Sequence, residues 1–172
     1  MNSAHLHLLF NHLPILGTLF GILILLGGYL LRSAAVKRTA LGIFVLSAGF
    51  ALVAFQTGEG AEEAVEGLSG VSEALISRHE ELADLFLGAS IITGVIALFN
   101  FLGDVLSWRI FRTLYVFTLV AAAGTMVLAQ QVGTSGGEIR HSEIRTAEAQ
   151  IQGVQDQAEL GGRQAQGEEE ED

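Results

Sequence analysis

Four uncharged apolar runs constrain this chain more than any other feature. Leu13 to Leu31, Thr39 to Gln56, Leu85 to Gly103 and Thr113 to Ala129 contain no Asp, Glu, Lys or Arg. At 1.5 Å per helical residue, runs of this length span about 26–29 Å, close to the thickness of a bilayer's hydrocarbon core. A soluble domain spreads its apolar residues in amphipathic patterns; here they are blocked. The reading is an all-α integral membrane four-helix bundle. Its spans are approximately 8–31, 39–56, 82–103 and 110–131, within a membrane domain 1–145 followed by a polar acidic tail 146–172. No positive charge precedes the first run and Arg32 follows it, so a cleaved signal peptide is not expected.

Charge then orients the bundle. The net charge of −10 is distributed unevenly. The first connection carries Arg32, Lys37 and Arg38, and the third carries Asp104, Arg109 and Arg112. The second holds Glu59, Glu62, Glu63, Glu66, Glu73, Glu80, Glu81 and Asp84 against one Arg78. Lys and Arg in short loops mark the cytoplasmic side. The expected location is therefore the bacterial cytoplasmic (inner) membrane, multi-pass, with both termini outside or periplasmic. The acidic outer face argues against nucleic acid as a partner. The bilayer is the expected partner, together with subunits of a respiratory or other membrane complex.

All five histidines fall on that outer side. His5, His7 and His12 open the first span. On a helix His5 and His12 share a face within about 20°, and His7 points the other way. His79 precedes the third span, and His141 follows the fourth. Glu59, Glu62, Glu63 and Glu66 have i, i+3, i+4, i+7 spacing, which would put four carboxylates on one helical face. Each helix thus brings a possible ligand to one end of the bundle. The two halves share a plan of outer histidine, inward span, basic turn, outward span and Gly-Glu exit. A duplication of this kind would place His12 and His79 across an axis along the membrane normal.

Smaller features follow. Asn2 or Ser3 is the expected cap of the first helix, and Ser72 of the helix entering the third span. Pro14 frees a backbone carbonyl near Phe10. Gly17 and Gly21 form a small-xxx-small pair, and Gly42, Ala48 and Gly49 a small face on the second span. Asn100 reads as interhelical glue, and Trp108 and Tyr115 as interface anchors. Ala147 to Leu160 could form a polar helix, and the acidic end of the tail reads as disordered.

Asn11-His12-Leu13-Pro14-Ile15, Thr57-Gly58-Glu59-Gly60-Ala61-Glu62-Glu63, His79-Glu80-Glu81 and Gly136-Gly137-Glu138-Ile139-Arg140-His141 together resemble a family. It is an uncharacterised group of bacterial four-span membrane proteins, and the resemblance covers roughly residues 1 to 145. It implies the four-span fold. It carries no activity, and its Asn-His-x-Pro opening singles out His12.

Three functions compete at this point. One is a b-type haem protein in electron transfer. His12 and His79 would be its axial ligands, His5 or His141 the substitutes, and Arg140 a propionate partner. Another is a non-haem site for zinc, iron, manganese or copper. Its ligands would come from His5, His7, His12, Glu59, Glu62, Glu63, His79, Glu80, Glu138 and His141. Glu138-Ile139-Arg140-His141 matches the Glu-x-x-His ligand pair of di-iron bundles, but only once and outside the spans. The last is an accessory subunit without a cofactor. Haem b is the favoured reading, and the chain does not read as an enzyme by itself. The absence of cysteine excludes disulfides, thiolate metal sites and covalent c-type haem. There is no His-Glu-x-x-His and no phosphate-binding glycine loop. No ionisable residue sits at mid-span, as ion or proton transport would want.

Overall fold

The computed structural model describes residues 2–155 apart from 67, 69, 108–113, 146, 148, 149, 152 and 153. Trp108, Arg109, Arg112 and nearly all of the tail therefore lie outside the described residues. The described chain is helical, without strands: α1 (Ser3–Phe10), α2 (His12–Leu30), α3 (Ala34–Gln56), α4 (Glu59–Glu62), α5 (Glu73–Val105) and α6 (Leu114–Arg140), with a 3-10 turn at Ser142–Ile144. Four stretches are long and apolar enough to cross a membrane: Ser3–Leu30, Ala34–Gln56, Glu73–Val105 and Leu114–Arg140.

The four long helices pack as a ring. α2 lies on α3, α3 on α5, α5 on α6, and α6 closes on α2. Lipid supplies no hydrophobic drive between helices, so close backbone approach and hydrogen bonds must hold the ring together. Glycine provides the approach. A Cβ on Gly21 would lie 2.5 Å from the Phe44 ring, and one on Gly94 would lie 2.6 Å from the Ala48 Cβ. Gly17 meets Ser47 in the same way. Of the small face expected on the second span, only Ala48 is used. Gly42 and Gly49 have no neighbour within 4 Å, because they turn away from the ring.

Polar pairs supply the rest. The α5–α6 seam carries Asn100 Nδ2 donating to Thr118 Oγ1 at 3.2 Å and the Thr93–Thr125 hydroxyl pair at 2.8 Å. Asn100 thus acts as interhelical glue, as its sequence position suggests. The end holding the α2–α3 turn is basic and ion-paired. There Arg38 Nε donates to Asp104 at 2.6 Å. Lys37 Nζ sits 5.3 Å from the Tyr29 ring centre and 4.7 Å from that of Tyr115. Tyr115 is 2% exposed, so it is a core residue more than a surface anchor.

At the opposite, acidic end two helices overshoot the apolar slab. α5 has 33 residues, about 50 Å of helix, whereas its apolar run starts only at Leu85. Its first three turns therefore stand clear of the slab. Ser72 occupies its N-cap in an extended conformation. α6 likewise continues to Arg140. Beneath these overhangs lies a plug of Ala51, Phe86, Ala129 and Val132, packed with Ile15, Leu82 and Met126.

Candidate functional site

The acidic end is where α1, α4 and the overhangs of α5 and α6 meet. α1 begins at an N-cap, with Asn2 Oδ1 accepting from the His5 N–H at 3.0 Å. It packs against both α3 and α4. This turns His7 inward, where its Nδ1 lies 2.8 Å from the Ala54 carbonyl. A carbonyl only accepts, so Nδ1 carries the proton. In the neutral ring Nε2 then keeps its lone pair.

His79 has a matching arrangement on α5. Its Nδ1 lies 3.0 Å from Ser135 Oγ, and that hydroxyl donates its proton to the Val132 carbonyl at 3.1 Å. The Val132 carbonyl also draws on the His79 ring. The ring therefore donates toward α6, and Nδ1–H is the donor to Ser135. Gly136 is what lets the ring lie there, since a Cβ at that position would stand 2.9 Å from His79 Cε1. His7 and His79 are close enough for their charges to act on one another. Each thus has its Nδ1 anchored by its own helix neighbourhood. A Nδ1–H held by a carbonyl or hydroxyl is the usual support of a metal-ligating imidazole.

The other sequence candidates are placed elsewhere. His12 is exposed and its Nδ1 contacts the Asn11 side chain. His5 is exposed, on the outer face of α1. His141 is exposed and bonds Glu143 at 2.9 Å. The Glu143 carboxyl is held below the usual range by its own backbone N–H first and by that ring second. Arg140 is exposed at the end of α6. Glu59, Glu63 and Glu80 are exposed as well. The expected four-carboxylate face does not form as one helix, because α4 is a single turn from Glu59 to Glu62. Instead Glu62 reaches across to Glu80. The hydrogen bond from that second carboxyl, then burial, raises the Glu62 pKa above the ordinary value.

Glu138 is buried and ion-paired. It is 1% exposed and accepts from Arg78 Nη1 at 3.2 Å. Arg145 then clamps the chain above it, donating to the carbonyls of Glu138 at 2.7 Å, Gly70 at 2.6 Å and Ile139 at 3.1 Å. Glu138 and the two arginines tie α5, α6 and the loop before α5 together. Among the described residues no three His, Asp or Glu side chains converge as metal ligands would. A Ser–His nucleophile is also unsuited here, since Ser135 is 2% exposed and its proton is spent on Val132.

Sequence reasoning named His7 and His79 but not their pairing. It missed Ser135, Gly136 as a seat for a ring, and Arg145. The only signal for these was their place beside Glu138 in the Gly-Gly-Glu motif and just after it. The chain matches no family model, no curated protein and no solved structure.

Proposed function

We propose that this is a multi-pass protein of a bacterial cytoplasmic membrane, with its acidic end and termini outside, that binds haem b for electron transfer. We further propose that it belongs with the uncharacterised four-span family its motifs resemble. The observation that carries the reading is the His7–His79 pair: two imidazoles from different helices, each with Nδ1 anchored by a hydrogen bond. Haem brings four equatorial nitrogens and asks the protein for one or two axial ligands. A bare zinc or iron ion asks for three or four donors. Two histidines without a third convergent donor among the described residues suit the first request better than the second. Bound haem would supply one-electron chemistry. The chain's own part is to fix the two rings through Ala54 and Ser135 and to hold them over the apolar plug below. Arg140, exposed nearby in sequence, is the propionate partner in this reading. Electron partners would be other membrane-complex subunits.

The test is a reduced-minus-oxidised spectrum of the detergent-purified protein, produced with haem available, plus metal analysis of the same sample. The expected result is a Soret band with a sharp alpha band in the wild type. His7→Ala and His79→Ala should each lose it, while His12→Ala keeps it. A colourless wild type, or full haem content in both of the first two variants, would sink the assignment. Stoichiometric zinc, copper, iron or manganese without haem would move the site to the metal-ion reading.

A further inference from the structure

His7 reaches the site on a lightly anchored helix. α1 has no buried residue. Its last backbone bond runs from the Asn11 N–H to the His7 carbonyl at 2.9 Å. Three residues on, Pro14 has no N–H to give the Phe10 carbonyl, and its ring crowds that carbonyl. Proline is a recognised cause of helix kinks. Below this break in the helix α2 is held firmly: Pro14 itself is buried, and Thr18 Oγ1 donates to its carbonyl at 2.8 Å. Above the break α1 rests on few supports. His7 meets Ala54, the Phe10 ring lies 5.9 Å from Phe50, and Ser3 sits on the bare Cα of Gly60. A Cβ at Gly60 would collide with the Ser3 side chain, so this glycine is a seat for α1.

We propose that α1 is a hinged arm that pivots at the Phe10–Pro14 break in the helix and closes onto Gly60, bringing His7 to the His79 side of the bundle when shut and admitting the cofactor when open. The hinge and its seat stand on geometry alone; the admission of a cofactor rests on the haem reading above. Gly60 and Pro14 are positioning residues in this scheme. An arm of 8 residues is about 12 Å long, so a modest swing moves its tip by several ångströms.

The chain has no cysteine, so label sites can be introduced cleanly. Leu8→Cys and Ser77→Cys place spin labels on two exposed positions, one on the arm and one on the α5 overhang. Pulsed electron-spin distances in the haem-free protein should show a closed majority and an open minority of up to ~10%. Gly60→Ala should make the open form the majority, and adding Ser3→Gly, which removes the colliding atoms, should restore the wild-type distribution. Pro14→Ala should leave a single narrow distance. With haem bound, Gly60→Ala should convert a low-spin, two-imidazole spectrum into a largely high-spin one, and Ser3→Gly should reverse this. Wild-type distances and a low-spin spectrum in Gly60→Ala would overturn the arm while leaving the haem reading intact. A haem-free wild type with distances that still obey Gly60 would overturn the haem reading and keep the arm. Two populations persisting in Pro14→Ala would overturn the pivot.

Discussion

Glu62 is a side chain whose environment gives this end of the bundle a pH dependence. Its carboxyl shares a hydrogen bond with Glu80, and burial and the nearby Glu66 and Glu59 add to the cost of ionising it. Its pKa in the folded protein is therefore above the ordinary 4.5, so the folded state binds the shared proton more tightly than the unfolded one. The sign follows from linkage. The stabilisation is complete below the ordinary carboxylate range and is lost as pH rises through the raised value. The attachment of α4 to α5 should accordingly be tightest in mild acid and loosen toward neutrality. Hydrogen exchange of the 59–63 amides across that range should show this, corrected for intrinsic rates. Glu62→Gln, which hydrogen-bonds without ionising, should flatten the profile. An equally steep profile in Glu62→Gln would assign the effect to another acid. The same scale explains what sequence could and could not say about the site. Helical spacing puts His5 and His12 on one face and His7 on the other, but spacing alone does not say which face turns inward. That is settled by the fit of Ser3 on Gly60 and by the Ala54 carbonyl, contacts between residues about fifty positions apart.

Among elements, the spans were legible because uncharged runs of membrane length admit few alternatives. Their ends were less so. The start of α5 was the exception: Ser72, expected as the cap of the helix entering the third span, is the N-cap, and the helix begins at Glu73, twelve residues before its apolar run. Glycine shows the same division. From sequence, Gly42, Gly49 and Gly94 look equivalent, since each is small and lies within a span. In the fold Gly94 is pressed against Ala48, while Gly49 faces open space. Substitution should separate them. Gly94→Ala should drive α3 and α5 apart and cost about 1–3 kcal/mol, the usual range for overpacking. Gly49→Ala adds a methyl to an open face and improves helix propensity, so it should be neutral or stabilising by up to ~1 kcal/mol. Thermal unfolding in one detergent would compare the two. Equal losses would mean that the α3–α5 seam is not where this glycine matters.

For the molecule as a whole, the two ends differ in electrostatic character, and this asymmetry decides what the site can meet. One end holds Arg32, Lys37 and the Arg38–Asp104 pair; the other holds the acidic α4 region, the α5 overhang and the His7–His79 pair. The helices fix which residues share an end, but charge must decide which end faces the cytoplasm, and Lys and Arg in short loops are the residues that decide it. Single cysteines in this cysteine-free chain make the orientation measurable. Ser142→Cys, beyond α6, should react with a membrane-impermeant maleimide in intact spheroplasts. Ser107→Cys, in the turn after α5, should react only once the membrane is broken. The reverse pattern would place the histidine pair in the cytoplasm. It would then face cytosolic donors and a polybasic-loop orientation that the Arg32–Arg38 turn was expected to forbid. The expected pattern keeps the pair on the side where the proposed haem would exchange electrons with partners outside the cell's reducing interior. It also puts the opening of α1, the step that would admit that cofactor, on the same side of the membrane.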